Sequence, residues 1–408
     1  MPDSTTTPAT APAGQGRSPA ARPVPALLLA LIAGPLSFGI AGPSLVLDTI
    51  AGDLGTSADA VTWTVTAFGW GIAVGTPLMA GLLRHKGART ALSVCALLVI
   101  AGAALVFAVP VLPALIAGCA LQALGTAGLT AAAMHLADTS PLRMGLVTAS
   151  LAVVGSTAPL AGSLANDVLS WKLTLALPVL SVLAVPAVLR RAHSEPSREH
   201  FDALGAVLLT ALVTALVFVP HYPLPATLAS AAALLLLIRH LRSKPRGFVP
   251  AVVVDKPAFL IAAVLAFVLA VVNFGLMFAI PDRLGEHTTW SAGQIGIAMV
   301  WPLVLGGTLS WFVVAASARL GRRPIIIVLL LFGIAAPVVT EFGTTSLVLL
   351  AAQALASIAA ASGQGVFAVQ ATSALPDEER PSAIGLFNLC YLLGAAFGPA
   401  IVALLATT

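Results

Sequence analysis

The chain has 408 residues, 59% of them apolar and 9% charged, with a formal net charge of +4. Soluble domains carry about 45–50% apolar and about 25% charged residues, so this composition excludes a soluble globular protein. A small positive balance on a membrane chain reads as topology and implies no nucleic-acid partner.

Residues 1–23, rich in Pro, Ala, Thr and Ser, are expected to form a disordered cytoplasmic tail. The apolar run that follows lacks a cleavage site and is succeeded by many more, so it is a first helix and not a removed signal peptide. About thirteen spans follow from the apolar runs. They are 24–47, 61–83, 90–109, 112–137, 144–166, 171–189, 203–220, 223–240, 257–281, 293–317, 324–341, 345–374 and 382–406. The expected fold is an all-α polytopic membrane protein. Residues 24–190 form a first bundle, 191–256 two extra helices with their cytoplasmic loops, and 257–408 a second bundle.

With the N-terminus in the cytoplasm, all 20 Lys and Arg except Lys172 and Arg283 fall on the cytoplasmic side, as the positive-inside rule requires. The three cysteines, Cys95, Cys119 and Cys390, all lie in apolar segments and offer neither a disulfide framework nor metal spacing.

An internal repeat is visible. Ser57-Ala58 and Ser291-Ala292 share one spacing with Gly87 and Gly321. Gly125 and Gly365, Gly145 and Gly385, and Pro159 and Pro399 share a slightly longer one. Many secondary transporters build two halves around a midplane site in this way. The copy of the sixth helix would fall beyond Thr408, so the second bundle is expected to lack its last helix, which a partner would supply if one is needed. Within the first copy, the stretch from Met144 to Asn166 carries no charge and holds Gly155, Pro159 and Gly162. Proline inside a soluble helix costs about 3 kcal/mol, but a membrane bundle tolerates such bends. Small residues there let another helix approach closely. These three residues are assigned a conformational role.

The order and spacing of several stretches resemble the major facilitator superfamily, specifically its fourteen-helix drug:proton antiporter branch, over nearly all of residues 25–408. DTIAGDLGTSADAVTWTVTAF (48–68) looks like the junction of helices one and two. AGLLRHKGART (80–90) and VAASARLGRRP (314–324) fall where the basic loop motif sits in each half. ALQALGTAG (120–128) is similar to the helix-four motif. GSTAPLAG with LSWK (155–162, 169–172) resembles the helix-five antiporter motif, and FDALGAVLL (201–209) the segment opening the first extra helix. The resemblance implies a two-bundle fold with two extra central helices that exports small amphipathic compounds (a drug, antibiotic or secondary metabolite) by alternating access with protons as the counter-ion. It departs from the pattern where Arg84 and Ala318 replace the loop acid, Cys119 the helix-four arginine and Gly39 the helix-one acid.

None of the 16 acids lies in a helix interior, where proton relays usually sit. Asp48, Asp167 and Glu341 near the outer ends, and His135 near the inner end of helix four, are the remaining candidates for proton coupling. A solvated helix end or a packed histidine is the alternative reading. Arg84, Lys86, Gly87, Arg89, Arg319, Gly321, Arg322 and Arg323 set topology and are candidates for a cytoplasmic latch. Trp70, Gln122, Thr126, Thr157, Asn273, Trp301, Gln353, Gln364, Asn388 and Tyr391 are polar or aromatic groups at membrane depth that either line a pathway or bond neighbouring helices at about 0.6–2 kcal/mol each. No nucleophile-base pair, metal set or cofactor motif is recognisable. An uncoupled facilitator and a non-transporting interaction or regulatory protein are the alternative functions.

Overall fold

The computed structural model describes residues 24–192, 202–219, 222–245, 247–290 and 292–406. The tail expected over 1–23 lies outside them, as do Arg17, Arg22, Arg198 and Arg246 of the charge asymmetry and Ser291 of the repeat. The described residues are helical throughout, with no strand.

The first expected span is not one helix. Pro35 and Pro43, each without an N–H to donate, divide it into α1 (Ala26–Ala33), α2 (Leu36–Ala41), a 3₁₀ turn (Gly42–Leu45) and α3 (Leu47–Leu54). The second and third spans run together as α4 (Ala58–Ala108), which turns back on itself at Gly87 with φ 78° and ψ 167°. A side chain there would be strained. Gly321, its repeat partner, does the same at φ 82° and ψ 159° between α13 (Ala292–Leu320) and α14 (Arg322–Phe342). The remaining elements of the first half are α5 (Leu112–Ala137), α6 (Pro141–Val168), α7 (Trp171–Ala176) and α8 (Val185–Leu189), with a proline-started 3₁₀ stretch, Leu177–Ala184, between the last two. The extra pair is α9 (Ala203–Val217) and α10 (Pro223–Ser243), followed by the short α11 (Ala251–Val254). The second half adds α12 (Pro257–His287), α15 (Ser346–Thr372) and α16 (Arg380–Ala406).

Among the described residues 10 helices are long and apolar enough to cross a membrane, α4 contributing two passes, and Ala26–Ala41 and Ala203–Val217 are shorter apolar stretches. The 15 residues of α9 reach about 22 Å at 1.5 Å per residue, short of the roughly 30 Å hydrocarbon core.

Helices α1–α8 pack on one another, as do α12–α16. The two sets meet along two seams, α4 against α16 and α6 against α13. The α9–α10 hairpin lies over the first seam, where Leu209, Val213 and Leu237 share one apolar cluster with Ala73 and Val74 of α4 and Leu389 of α16. Tight packing relies on small residues rather than on burial from water, as expected between helices in lipid. A Cβ on Gly102 would stand 2.5 Å from the Gly118 carbonyl oxygen, and one on Gly118 2.8 Å from that of Gly102. Gly102→Leu is therefore expected to lower the stability of the detergent-purified protein by about 1–3 kcal/mol or more, as overpacked cores do. Gly52→Ala, where nothing lies within 4 Å of the added carbon, should leave the melting temperature unchanged.

Candidate functional site: the seam between the two helix sets

At the end of the bundle that carries the basic loops, three polypeptide segments converge on Arg84. Its side chain is 2% exposed and its Nη2 lies 2.9 Å from Glu379 Oε1. Its Nη1 donates to the Gly247 carbonyl at 3.2 Å. Arg84 belongs to α4, Gly247 to the segment after α10, and Glu379 to the start of α16, where the helix dipole favours a carboxylate. One residue on, Arg380 Nη1 meets Asp138 Oδ1 at 2.6 Å and Asp377 Oδ1 at 2.9 Å. Asp138, just past α5, holds φ 56°, a conformation a non-glycine residue keeps only when its surroundings fix it. The Arg84–Glu379 and Arg380–Asp138 pairs cross from the first helix set to the second.

Deeper along the same seam, Asn388 Nδ2 donates to Met134 Sδ of α5 at 3.0 Å, while Gln364 Nε2 donates to Asn388 Oδ1 at 3.4 Å. At the opposite end two polar bonds among the described residues stay within one set. Trp171 Nε1 donates to Asp53 Oδ2 at 2.9 Å, and Arg283 Nη2 to Glu341 Oε2 at 2.6 Å. The sets are thus fastened at the basic end.

The other expected pathway residues divide. Gln122 Nε2 donates to the Leu175 carbonyl at 3.1 Å, and Thr126 Oγ1 to that of Gln122 at 2.8 Å, both inside the first set. Gln353 Nε2 donates to Asn273 Oδ1 at 3.1 Å inside the second. Trp70 Nε1 turns to Thr214 of the extra hairpin at 3.1 Å. Thr157 Oγ1 bonds back to the Val153 carbonyl. Tyr391 is buried against the edge of Phe274, their ring centroids 6.4 Å apart. Trp301 is 42% exposed.

Of the loop residues, Lys86, Arg89, Arg319, Gly321, Arg322 and Arg323 are exposed. Arg89 Nε donates to the Ala192 carbonyl at 3.2 Å and Arg322 Nη1 to Ser373 Oγ at 3.0 Å. Arg84 is the one that reaches across the seam.

On α6, Gly162 packs directly on the Gly42 carbonyl, and its own carbonyl accepts from Thr174 Oγ1 at 2.7 Å. Gly155 leaves room, with Ser37 Cβ the nearest atom to an added carbon at 3.6 Å. Ser37 Oγ donates to the Leu151 carbonyl at 2.8 Å. The helix around Pro159 is thus bonded to the proline-broken first span.

Among the titratable candidates, Asp48 and Asp167 are exposed and Glu341 is paired with Arg283. His135, on the last turn of α5, is partly buried, and its Nδ1 is shut from solvent with no hydrogen-bond partner. It lies within electrostatic reach of Asp138, Arg380 and Asp377. Where the resemblance would place the helix-one acid, the Phe68 ring fills the space beside Gly39; Cys119, in the place of the helix-four arginine, is buried. No group of three metal-binding side chains occurs among the described residues.

On the α6–α13 flank, a groove of about 850 Å³ opens beside the seam. Leu27, Leu31 and Phe38 form one wall, Ser150 and Val154 of α6 the floor, and Trp311 and Phe312 of α13 the far side. The Trp311 indole N–H is buried and has no acceptor.

Sequence reasoning missed Glu379, Asp138 and Arg380 as partners. The signal was the run Asp377-Glu378-Glu379-Arg380: an arginine standing in an acid's place requires a carboxylate from elsewhere. Removing one member of a buried ion pair typically costs about 3–5 kcal/mol. Arg84→Glu is therefore expected to destabilise the purified protein by about that amount, and Arg84→Glu with Glu379→Arg to recover part of it, read by thermal denaturation. The recovery is partial because the Gly247 carbonyl loses its donor.

The sequence matches the profile of the Major Facilitator Superfamily over residues 27–272 and 262–408. No curated protein sequence matches the chain closely enough to count as a relative. Its fold is similar to that of the human organic anion transporter MFSD10 (TETRAN), with a TM-score of 0.63 at 16% identity over 92% of this chain and 91% of that one. It is also similar to the proton:xylose symporter XylE bound to 6-bromo-6-deoxy-D-glucose, with a TM-score of 0.57 at 16% identity over 94% and 89%. With the profile covering both halves and the two-set architecture shared with solved transporters, the chain belongs to the Major Facilitator Superfamily, a family of multi-pass membrane transporters.

Proposed function

We propose that the chain is an export permease of the cytoplasmic membrane for small amphipathic compounds, with its N-terminus and basic loops in the cytoplasm. Its two bundles, 24–190 and 257–408, rock about their seams, and residues 191–256 carry the extra pair. The observation that carries the substrate class is the groove on the α6–α13 flank. Its volume of about 850 Å³ falls in the roughly 300–1,000 Å³ range of small-molecule sites, which are mostly apolar with few polar groups. Its α13 wall, Thr308 to Phe312, lies 8–12 residues before Leu320, about 12–18 Å from the helix end at 1.5 Å per residue. That depth is close to the middle of a roughly 30 Å hydrocarbon core. A mostly apolar compound dissolved in the bilayer suits these walls.

In this arrangement the ion pairs Arg84–Glu379 and Arg380–Asp138 hold the cytoplasmic ends together, and their release is the inward-opening step. His135 supports proton coupling better than Asp48, Asp167 or Glu341, because it alone adjoins that cross-seam network. A proton on its ring would add a positive charge beside Arg380 and weaken the closed state. An uncoupled facilitator is the second reading, favoured by the Phe68 ring that fills the place of the helix-one acid.

In proteoliposomes, lipophilic compounds are expected to cross faster than in protein-free vesicles, and an imposed pH gradient to raise the rate. His135→Asn should abolish the gradient response and keep downhill flux. Gradient-independent flux in the unaltered protein would establish the facilitator, and flux equal to that of empty vesicles across the panel would sink the export reading.

A further inference from the structure

The stretch FDALGAVLL has no part in the site above, yet its aspartate is one of the most heavily bonded side chains in the protein. Asp202 is 6% exposed. Its Oδ2 meets His240 Nε2 at 2.8 Å and accepts the Phe248 N–H at 3.0 Å. Its Oδ1 accepts the Gly205 N–H at 3.2 Å, with Lys244 Nζ 3.9 Å away. Two glycines make room for the carboxylate. A Cβ on Gly205 would overlap it, and one on Gly247 would stand 2.5 Å from Oδ2. One side chain thus ties the start of α9, the end of α10 and the turn at 247–248.

That turn is what touches the seam. The Gly247 carbonyl receives Arg84 Nη1, and the Phe248 ring occupies the space beside Gly81, one turn before Arg84 on α4. Phe248 and Val249 join the apolar cluster that spans α4, the hairpin and α16.

We propose that Asp202 is a positioning residue of the cytoplasmic gate. By fixing the 247–248 turn it presents a carbonyl to Arg84, and the α9–α10 hairpin becomes a brace that favours the closed arrangement of the basic ends. The inference rests on the reading of that end as a gate. Burial alone would raise the Asp202 carboxyl, but the hydrogen bonds from His240 and from the Phe248 and Gly205 amides outweigh it and hold the group below the usual carboxylate range. The carboxylate stays charged at neutral pH.

The test is the rate at which a membrane-impermeant maleimide labels Ser382→Cys in inside-out vesicles, counted above the background of the native cysteines. Ser382 is 4% exposed on the first turn of α16, and its hydroxyl has no hydrogen-bond partner. Hydrogen bonds to charged groups are strong enough that losing this anchor corresponds to about a tenfold change in an opening equilibrium. Asp202→Asn is therefore expected to raise the labelling rate about tenfold. Glu379→Gln should do likewise, and the two together should give less than the product of their separate effects, as coupled residues do. If Asp202→Asn fails to reach the membrane, His240→Ala, which removes one bond of the cluster, is read in the same way. Labelling raised by Glu379→Gln but unchanged by Asp202→Asn, even with lowered thermal stability, marks a merely structural carboxylate and overturns the brace alone. A rate that neither substitution alters overturns the brace and the gate together.

Discussion

A guanidinium taken out of water must be neutralised where it stands, and the seam is arranged around that requirement. Desolvating Arg84 costs several kcal/mol, which only close and well-placed acceptors recover. The acceptors come from segments far apart in the chain, a carboxylate at the start of α16 and a carbonyl beyond α10. The buried arginine therefore couples three parts of the protein. Where such a charge loses its partners it must regain water, so the cost of parting these segments depends on how readily solvent reaches Arg84.

The two flanks of the molecule are built differently. On one, the hairpin of α9 and α10 lies over the junction of α4 with α16. On the other, the space beside α6 and α13 is, among the described residues, a groove lined by leucine, phenylalanine and tryptophan. α6 is also the helix that carries Pro159 and bonds to the proline-broken first span. The groove is thus walled in part by the broken first span and by a helix with a proline inside it.

Much of this was legible in the sequence. The apolar runs marked each span because a helix must satisfy its own backbone in lipid, and the paired Gly87 and Gly321 marked turns that only glycine makes without strain. The breaks at Pro35 and Pro43 were legible in principle, since proline ends a helical ladder, but hydropathy averages over them. The partners of Arg84 were not, because an ion pair between residues 295 positions apart leaves no local pattern. Nor could the sequence tell which amides bridge neighbouring helices of one set and which cross the seam: Gln122 and Asn388 are both amides in apolar runs, and only packing sends one to the Leu175 carbonyl of its own set and the other across to Met134.

The unequal flanks give the protein a preferred bearing in the plane of the membrane. On the proposed reading, a solute diffusing sideways through the leaflet would meet the groove from one direction and the hairpin from the other. Crowding then acts with a sign. A neighbouring protein that leans on the hairpin leaves the mouth free, whereas one that settles against Leu27, Leu31 and Phe312, all more than 45% exposed, stops it.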